Sequence, residues 1–313
     1  MRLLAFSDIH NNLVAVRKLR ALEKNTFDAI VVAGDIGNAS AADCFKILAT
    51  FKCPVVYVYG NWDHELSYKH CFEPGCQLLQ SNVVTIGNIN FAGFSGCPTN
   101  WGKNPIARKI HRRIEIENRA VVDAVRHRTT PAGEIRRTKA YRSYELQLQS
   151  AEHEVLRLNR ESIRKALSKA GIDPGKCVVV THERLARLSE EIPGVLLHLF
   201  GHLHKFSERT FKATKYVNVA ALDHPVSARP RVKEKWRRQD CRNFNAGNYT
   251  TIEINSAQAV TIRCLFLPHD YPNWIPLKDR RYNGIEWVPE EATWTNASDP
   301  PLRQRELTWS SSP

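Results

Sequence analysis

Short apolar runs alternate with helical periodicities along the first sixty residues, and each run stops at polar side chains. Residues 3–6 read as a strand ended by Ser7-Asp8-Ile9-His10. Asn11 or Asn12 can cap a helix whose apolar face is Leu13, Val16, Leu19 and Leu22. Residues 28–33 form a second predicted strand, ended by Gly34-Asp35, and 41–51 a second helix. Residues 55–59 form a third strand, ended by Gly60-Asn61-Trp62-Asp63-His64. This β-α-β-α-β order predicts parallel strands with right-handed crossovers. Two further runs, at 83–86 and 89–94, predict a hairpin through Gly87-Asn88.

The rhythm breaks at 101–170, where helical spacing appears in two pieces separated by Thr129-Thr130-Pro131-Ala132-Gly133. The second piece places Tyr141, Tyr144, Leu148, Ala151, Val155 and Leu158 on one stripe. An inserted helical hairpin is expected. The sheet pattern resumes at 177–180, ended by Thr181-His182, and at 195–200, ended by Gly201-His202-Leu203-His204. Strands at 216–220, 249–254 and 259–266 are expected to be antiparallel, and a basic loop occupies 229–242. The domain thus covers 1–267, and 268–313 reads as an irregular tail.

In open α/β sheets, sites form at the carboxyl ends of strands. Here those ends carry Asp8, His10, Asp35, Asn61, His182, His202 and His204. Any one of them alone would read as a capping carboxylate or an exposed imidazole. All of them following apolar strands point to one edge. Carboxylate, imidazole and amide oxygen together suit divalent ions such as Mn²⁺, Fe²⁺ or Zn²⁺. Asp35 could bridge two ions, which would polarise a phosphoryl group and acidify a shared water.

Asp8-x-His10, Gly34-Asp35, Gly60-Asn61, Thr181-His182 and Gly201-His202-x-His204 resemble, in order and spacing, the motif series of the calcineurin-like metallophosphoesterases. The resemblance spans about 1–267, minus the insert. It implies a four-layer αββα sandwich with a dinuclear centre at one edge. By motif, Asp8, His10, Asp35 and His204 would hold the first ion, and Asp35, Asn61, His182 and His202 the second. Mn²⁺ is the expected ion, with Fe²⁺, Zn²⁺ and Ni²⁺ as alternatives. A bridging hydroxide would attack phosphorus, with Asp35 and Asn61 in the catalytic group. The family places a His after the third-motif Asn; this chain has Trp62 there. His64, two residues on, is the candidate replacement.

Charge then narrows the substrate. The chain carries +13 overall. Residues 101–170 hold 17 Lys/Arg against 8 acids, a net +9, and residues 229–242 add a net +5. The remaining catalytic portion is therefore near neutral, which predicts arms for a polyanion. A metal-dependent phosphodiesterase acting on DNA or RNA is expected, with Arg136, Arg137 and Lys139 contacting substrate. A small-molecule phosphodiesterase or phosphatase, and a non-catalytic scaffold, are the other readings. The basic arms also suit a protein partner or an oligomer. The protein-phosphatase signature is absent, since the chain reads Gly34-Asp35-Ile36-Gly37-Asn38. Eight cysteines without C-x-x-C spacing predict reduced thiols. With no signal-peptide pattern and no run of about 18 apolar residues, a cytoplasmic chain without a membrane span is expected.

Overall fold

Apolar residues fill the first strands on both faces, Leu, Ala and Phe in the first and mainly Val in the next two, as central parallel strands require. In the computed structural model, β1 (Arg2–Phe6) leads through α1 (Leu13–Leu22) to β2 (Ala29–Ala33). The chain continues through α2 (Ala41–Ala49) to β3 (Val55–Val58) and β4 (Cys76–Leu78). These strands pair in parallel, with Leu3 opposite Ala29 and Ile30 opposite Val55. The structure describes residues 1–99, 103–127, 132–204, 206–219, 221–223 and 247–267, plus the backbone of three short strands beyond. The basic loop at 229–242 and most of the tail lie outside the described residues.

The hairpin forms as read, β5 (Val83–Ile86) against β6 (Ile89–Phe94), with Ile86 opposite Ile89. The insert follows: α3 (Pro105–Glu117), α4 (Arg119–His127), α5 (Ala132–Ile135) and α6 (Lys139–Lys169). Among the described residues it has four helices where two pieces were expected. Asn118 ends α3, with its amide donating to Ile114 O at 2.9 Å and to Gln147 Oε1 of α6 at 2.7 Å.

Next come β7 (Cys177–Thr181), α7 (Leu188–Glu191), β8 (Leu197–Phe200), β9 (Ser207–Phe211), β10 (Thr214–Asn218), β11 (Asn248–Ile254) and β12 (Val260–Phe266). In the tail, β13 (Arg280–Tyr282) pairs with β14 (Trp287–Pro289), and β15 (Leu307–Thr308) pairs with β12.

One sheet has the order β15-β12-β11-β1-β2-β3-β4 and the other β5-β6-β7-β8-β10-β9. A shared core lies between them, including Ala5, Val31, Val58, Phe91, Val180, Leu199 and Val217. The outer face of the first sheet packs α1 and α2 through Val16, Leu19, Phe45 and Leu48. The outer face of the second packs Ile163 and Leu167 of α6 and Leu188 of α7. This is the expected four-layer αββα arrangement.

Three local readings change. Strand β9 has no alternating apolar face and gave no sequence signal. Strand β10 pairs in parallel with β8 as well as antiparallel with β9, so it was only half anticipated. Asn12 caps α1, accepting from Ala15 N at 3.2 Å. Asn11 instead accepts from Ser40 N at 3.0 Å and Ala39 N at 3.1 Å, tying the first strand end to the turn before α2. No helix among the described residues is long and apolar enough to cross a membrane.

Leu199 is fully buried between the sheets, so Leu199→Ala is expected to lower unfolding free energy by about 2–5 kcal/mol. Leu146, exposed on α6, should change it by less than about 0.5 kcal/mol when replaced by Ala. Urea unfolding of both variants checks the layer assignment.

Candidate metal centre

The turns after β1 and β2 are zipped together by their backbones. Asp8 N donates to Gly34 O at 2.9 Å, and Ile9 N and His10 N donate to Asp35 O at 2.7 and 3.0 Å. These bonds hold Asp8, His10 and Asp35 at φ of 52°, 48° and 54°. His202 and His204, after β8, sit at 71° and 49°. A left-handed non-glycine residue costs about 1–2 kcal/mol. Five on one edge persist because the surrounding bonds over-determine them, as at functional sites. His202 N is one such anchor, donating to Asp8 Oδ2 at 3.0 Å. Close approach also needs glycine. A β-carbon at Gly60 would fall on Asp35 Oδ1, and one at Gly201 on Ser7 Oγ and Asp8 Oδ2.

The side chains gather in two groups. Ligand atoms of Asp8, His10, Asp35 and His204 all lie within 4.8 Å of one another. His204 Nε2 is 3.3 Å from Asp8 Oδ1 and 3.2 Å from His10 Nε2. The second group centres on His182 Nε2, which is 3.0 Å from Asn61 Oδ1 and 3.3 Å from His202 Nδ1. Asp35 joins the groups: its Oδ2 is 3.6 Å from His10 Nε2 and 3.3 Å from His182 Nε2. All seven strand-end residues are therefore brought together.

This donor set fits divalent cations. His182 Nδ1 donates to Ala33 O at 2.9 Å, so a neutral ring turns the lone pair of Nε2 toward two oxygens, Asp35 Oδ2 and Asn61 Oδ1. Only a positive charge between them makes that arrangement favourable. Without an ion, protons take the role. Burial pushes the Asp8 carboxyl up, but His204, His182 and His10 outweigh it and hold it well below the usual range. Asp35 is likewise held down by His182 against its burial. His182 resists burial through Asp35 and Asp8 and is pushed up to about 9. His204 resists it through Asp8 and Asp223 and is pushed up to about 10. His10 and His202, where desolvation prevails, are pushed down.

The third strand end departs from this convergence. Asp63 is buried and accepts from Gly37 N at 2.8 Å and Gly60 N at 2.7 Å, which fixes the turn bearing Asn61. Burial, then the neighbouring Asp35, push its pKa up to about 6. Trp62 is 52% exposed and meets His10 edge-on at 4.7 Å. The His64 side chain is 59% exposed, with Nε2 3.6 Å from Glu65 and Nδ1 3.4 Å from Asn38. Arg136, Arg137 and Lys139 are exposed at the turn into α6, 24 or more residues before Ile163, where that helix rests on the sheet.

Two residues were not anticipated. Cys97 Sγ, after β6, lies 3.5 Å from Asn61 Oδ1 and 3.8 Å from His202 Nδ1. Asp223 Oδ2, after β10, is 3.4 Å from His204 Nδ1 and steadies that ring from its far side. Both follow strands, which is the signal that the sequence holds for them.

The model of the calcineurin-like phosphoesterase superfamily domain matches residues 1–232. The chain belongs to that superfamily. Among solved structures, this calcineurin-like phosphoesterase is similar to a predicted phosphoesterase from Streptococcus pneumoniae at 12% identity, covering 92% of this chain and 97% of that one, with a TM-score of 0.37. It is similar to the phosphopantetheinyl hydrolase of Mycobacterium tuberculosis at 14% identity, covering 75% and 93%, with a TM-score of 0.38. It is also similar to Vps29 of Entamoeba histolytica complexed with Zn²⁺ at 14% identity, covering 85% and 93%, with a TM-score of 0.35. No curated protein matches the chain. The superfamily is one of divalent-metal-dependent phosphoesterases, in keeping with the donor set described here.

Protonated His182 and His204 stabilise the metal-free fold, because their pKa values of about 9 and about 10 exceed the ordinary 6.5. That stabilisation is complete below pH 6.5 and is lost as pH rises through 9 to 10. Chelator-treated protein should therefore show a falling Tm over this window. Apparent divalent-ion affinity should rise over the same window, because binding displaces these protons. Calorimetric titration and thermal melts at stepped pH check both. Asp63→Asn turns an amide donor toward one of two backbone N–H groups. It should weaken binding at the Asn61 group by about 10–100-fold, read by metal titration.

Proposed function

We propose that this metallophosphoesterase uses two divalent ions to hydrolyse phosphodiester bonds of a nucleic acid. The observation that carries the reading is Asp35, whose Oδ2 reaches both His10 and His182. One carboxylate between two ligand groups is the layout of a dinuclear centre. Asp8, His10, Asp35 and His204 would hold one ion, and Asp35, Asn61, His182 and His202 the other. When bound, such ions polarise a phosphoryl oxygen and lower the pKa of water. The chain's own contribution is positional. Ala33 O sets the His182 tautomer, Asp63 fixes the Asn61 turn, and Trp62 offers an aromatic face on which a base can stack.

The cationic insert favours a polymer. Arg136, Arg137 and Lys139 hold no ion pair among the described residues, whereas Arg113, Arg119 and Arg157 are paired with acids on their own helices. The basic turn opens α6, a helix of 31 residues, and charge spread along such an arm suits an extended polyanion.

The direct test incubates the full chain and Mn²⁺ with plasmid, single-stranded DNA, RNA and bis-p-nitrophenyl phosphate in parallel. Cleavage of a nucleic acid is expected. Turnover of the small diester alone would replace this reading with a small-molecule phosphodiesterase, and no turnover with any divalent ion would favour a scaffold. Neutralising Arg136, Arg137 and Lys139 together should flatten the salt dependence of DNA binding by roughly 2–3 units of log–log slope. A general acid is worth about 10²–10⁴-fold. With its ring on Asn38 and Glu65, His64 is expected to change turnover by less than about tenfold on replacement by Ala, and a larger loss would restore it as proton donor.

A further inference from the structure

We propose that Cys97 is a thiolate ligand of the second ion, and that it makes the two sites unequal: the Asn61–His182–His202 group takes a Zn²⁺-like ion, while the Asp8–His10–Asp35–His204 group takes a harder one such as Mn²⁺. This rests on the dinuclear reading above. Cys97 is fully buried. Its Sγ and the ring nitrogens of His182 and His202 all lie within 4.8 Å of one another. Asn61 Oδ1, 3.5 Å from Sγ, and the shared Asp35 add oxygens to this set of one sulfur and two nitrogens. Thiolate and imidazole suit Zn²⁺ and draw a site away from Mn²⁺, whereas two carboxylates and two imidazoles suit harder ions.

The position of the thiol is built, not incidental. Ser95 Oγ accepts from Tyr59 N at 3.0 Å, and Gly96 N donates to Tyr59 O at 2.7 Å. The segment bearing Cys97 is therefore pinned to the end of the strand that presents Asn61. On the other side, His111 Nε2 of α3 donates to Pro98 O at 3.0 Å. Gly96 also lets the root of the insert close in, since a β-carbon there would fall on Asn104 N, and its φ is 79°. Cys97 is thus held between the metal edge and the first helix of the insert. On coordination the Sγ–H bond breaks, its electron pair goes to the ion and its proton leaves to solvent.

The test loads the full chain with Mn²⁺ and Zn²⁺ together. Metal content is measured and X-ray absorption is recorded at the Zn edge. One Mn²⁺ and one Zn²⁺ per chain are expected, with one sulfur at about 2.3 Å from zinc. Cys97→Ser should remove the sulfur shell and lower the Zn²⁺-over-Mn²⁺ preference by roughly tenfold or more. Replacing the exposed Cys71 by Ser should leave the shell in place. Two bound ions with only nitrogen and oxygen around zinc would overturn the thiolate and leave the dinuclear reading standing. A sulfur shell lost in Cys71→Ser would overturn it too. A chain that binds no ion would overturn both. The absorption measurement on the unmodified chain decides the matter even if Cys97→Ser does not fold.

Discussion

Asp35 sets the electrostatic demand that organises this edge. One of its oxygens accepts from Trp62 N at 2.8 Å, and the other faces imidazoles from β1 and β7. It is almost fully buried, as are Asp8 and His182. Carboxylates and lone pairs gathered out of water are unfavourable unless positive charge lies among them. Protons on His182 and His204 can supply that charge, and divalent ions supply more of it. The left-handed backbones of Asp8, His10, Asp35, His202 and His204 are the conformational side of the same demand. They turn side chains from two sheets toward one point, and crossed backbone bonds hold them there.

The insert is joined to this edge at its root. Lys103 is buried, with its ammonium 5.1 and 5.2 Å from the rings of Tyr59 and Tyr68. It donates to His64 O at 3.3 Å, and burial lowers its pKa. Asn104 caps α3 immediately afterwards, accepting from Ile106 N and Ala107 N. The cationic helices therefore start against the turn that carries Asn61, and α6 returns to the second sheet through Ile163 and Leu167. An arm fixed at both ends can present charge at a set distance from the metal edge.

Much of this was legible in the sequence, for a physical reason. A parallel strand buried on both faces is a short, largely apolar run, and its polar terminator is conspicuous; Asp8, Asp35, Asn61, His182 and His202 stood out for that reason. Cys97 did not, because a cysteine after an apolar strand looks the same whether it packs or ligates. Asp223 follows β10, whose partner β9 has a polar, exposed sequence without periodicity. The pairing of β10 depends on a neighbour that local pattern does not reveal. The insert read as two helices because propensity runs through Asn118, where a side-chain bond to Gln147, far along the chain, ends α3. His64 was favoured by its place in the sequence, but a short 3-10 turn over Asn61–Asp63 carries its ring to Asn38 and Glu65.

If Asp35 joins two ion sites, the chain's metal stoichiometry reads it out. Equilibrium dialysis should give two divalent ions per chain, and Asp35→Asn should lower affinity at both sites while the sheets stay folded by circular dichroism. A single ion in the unmodified chain, or two ions held with undiminished affinity by Asp35→Asn, would contradict the account.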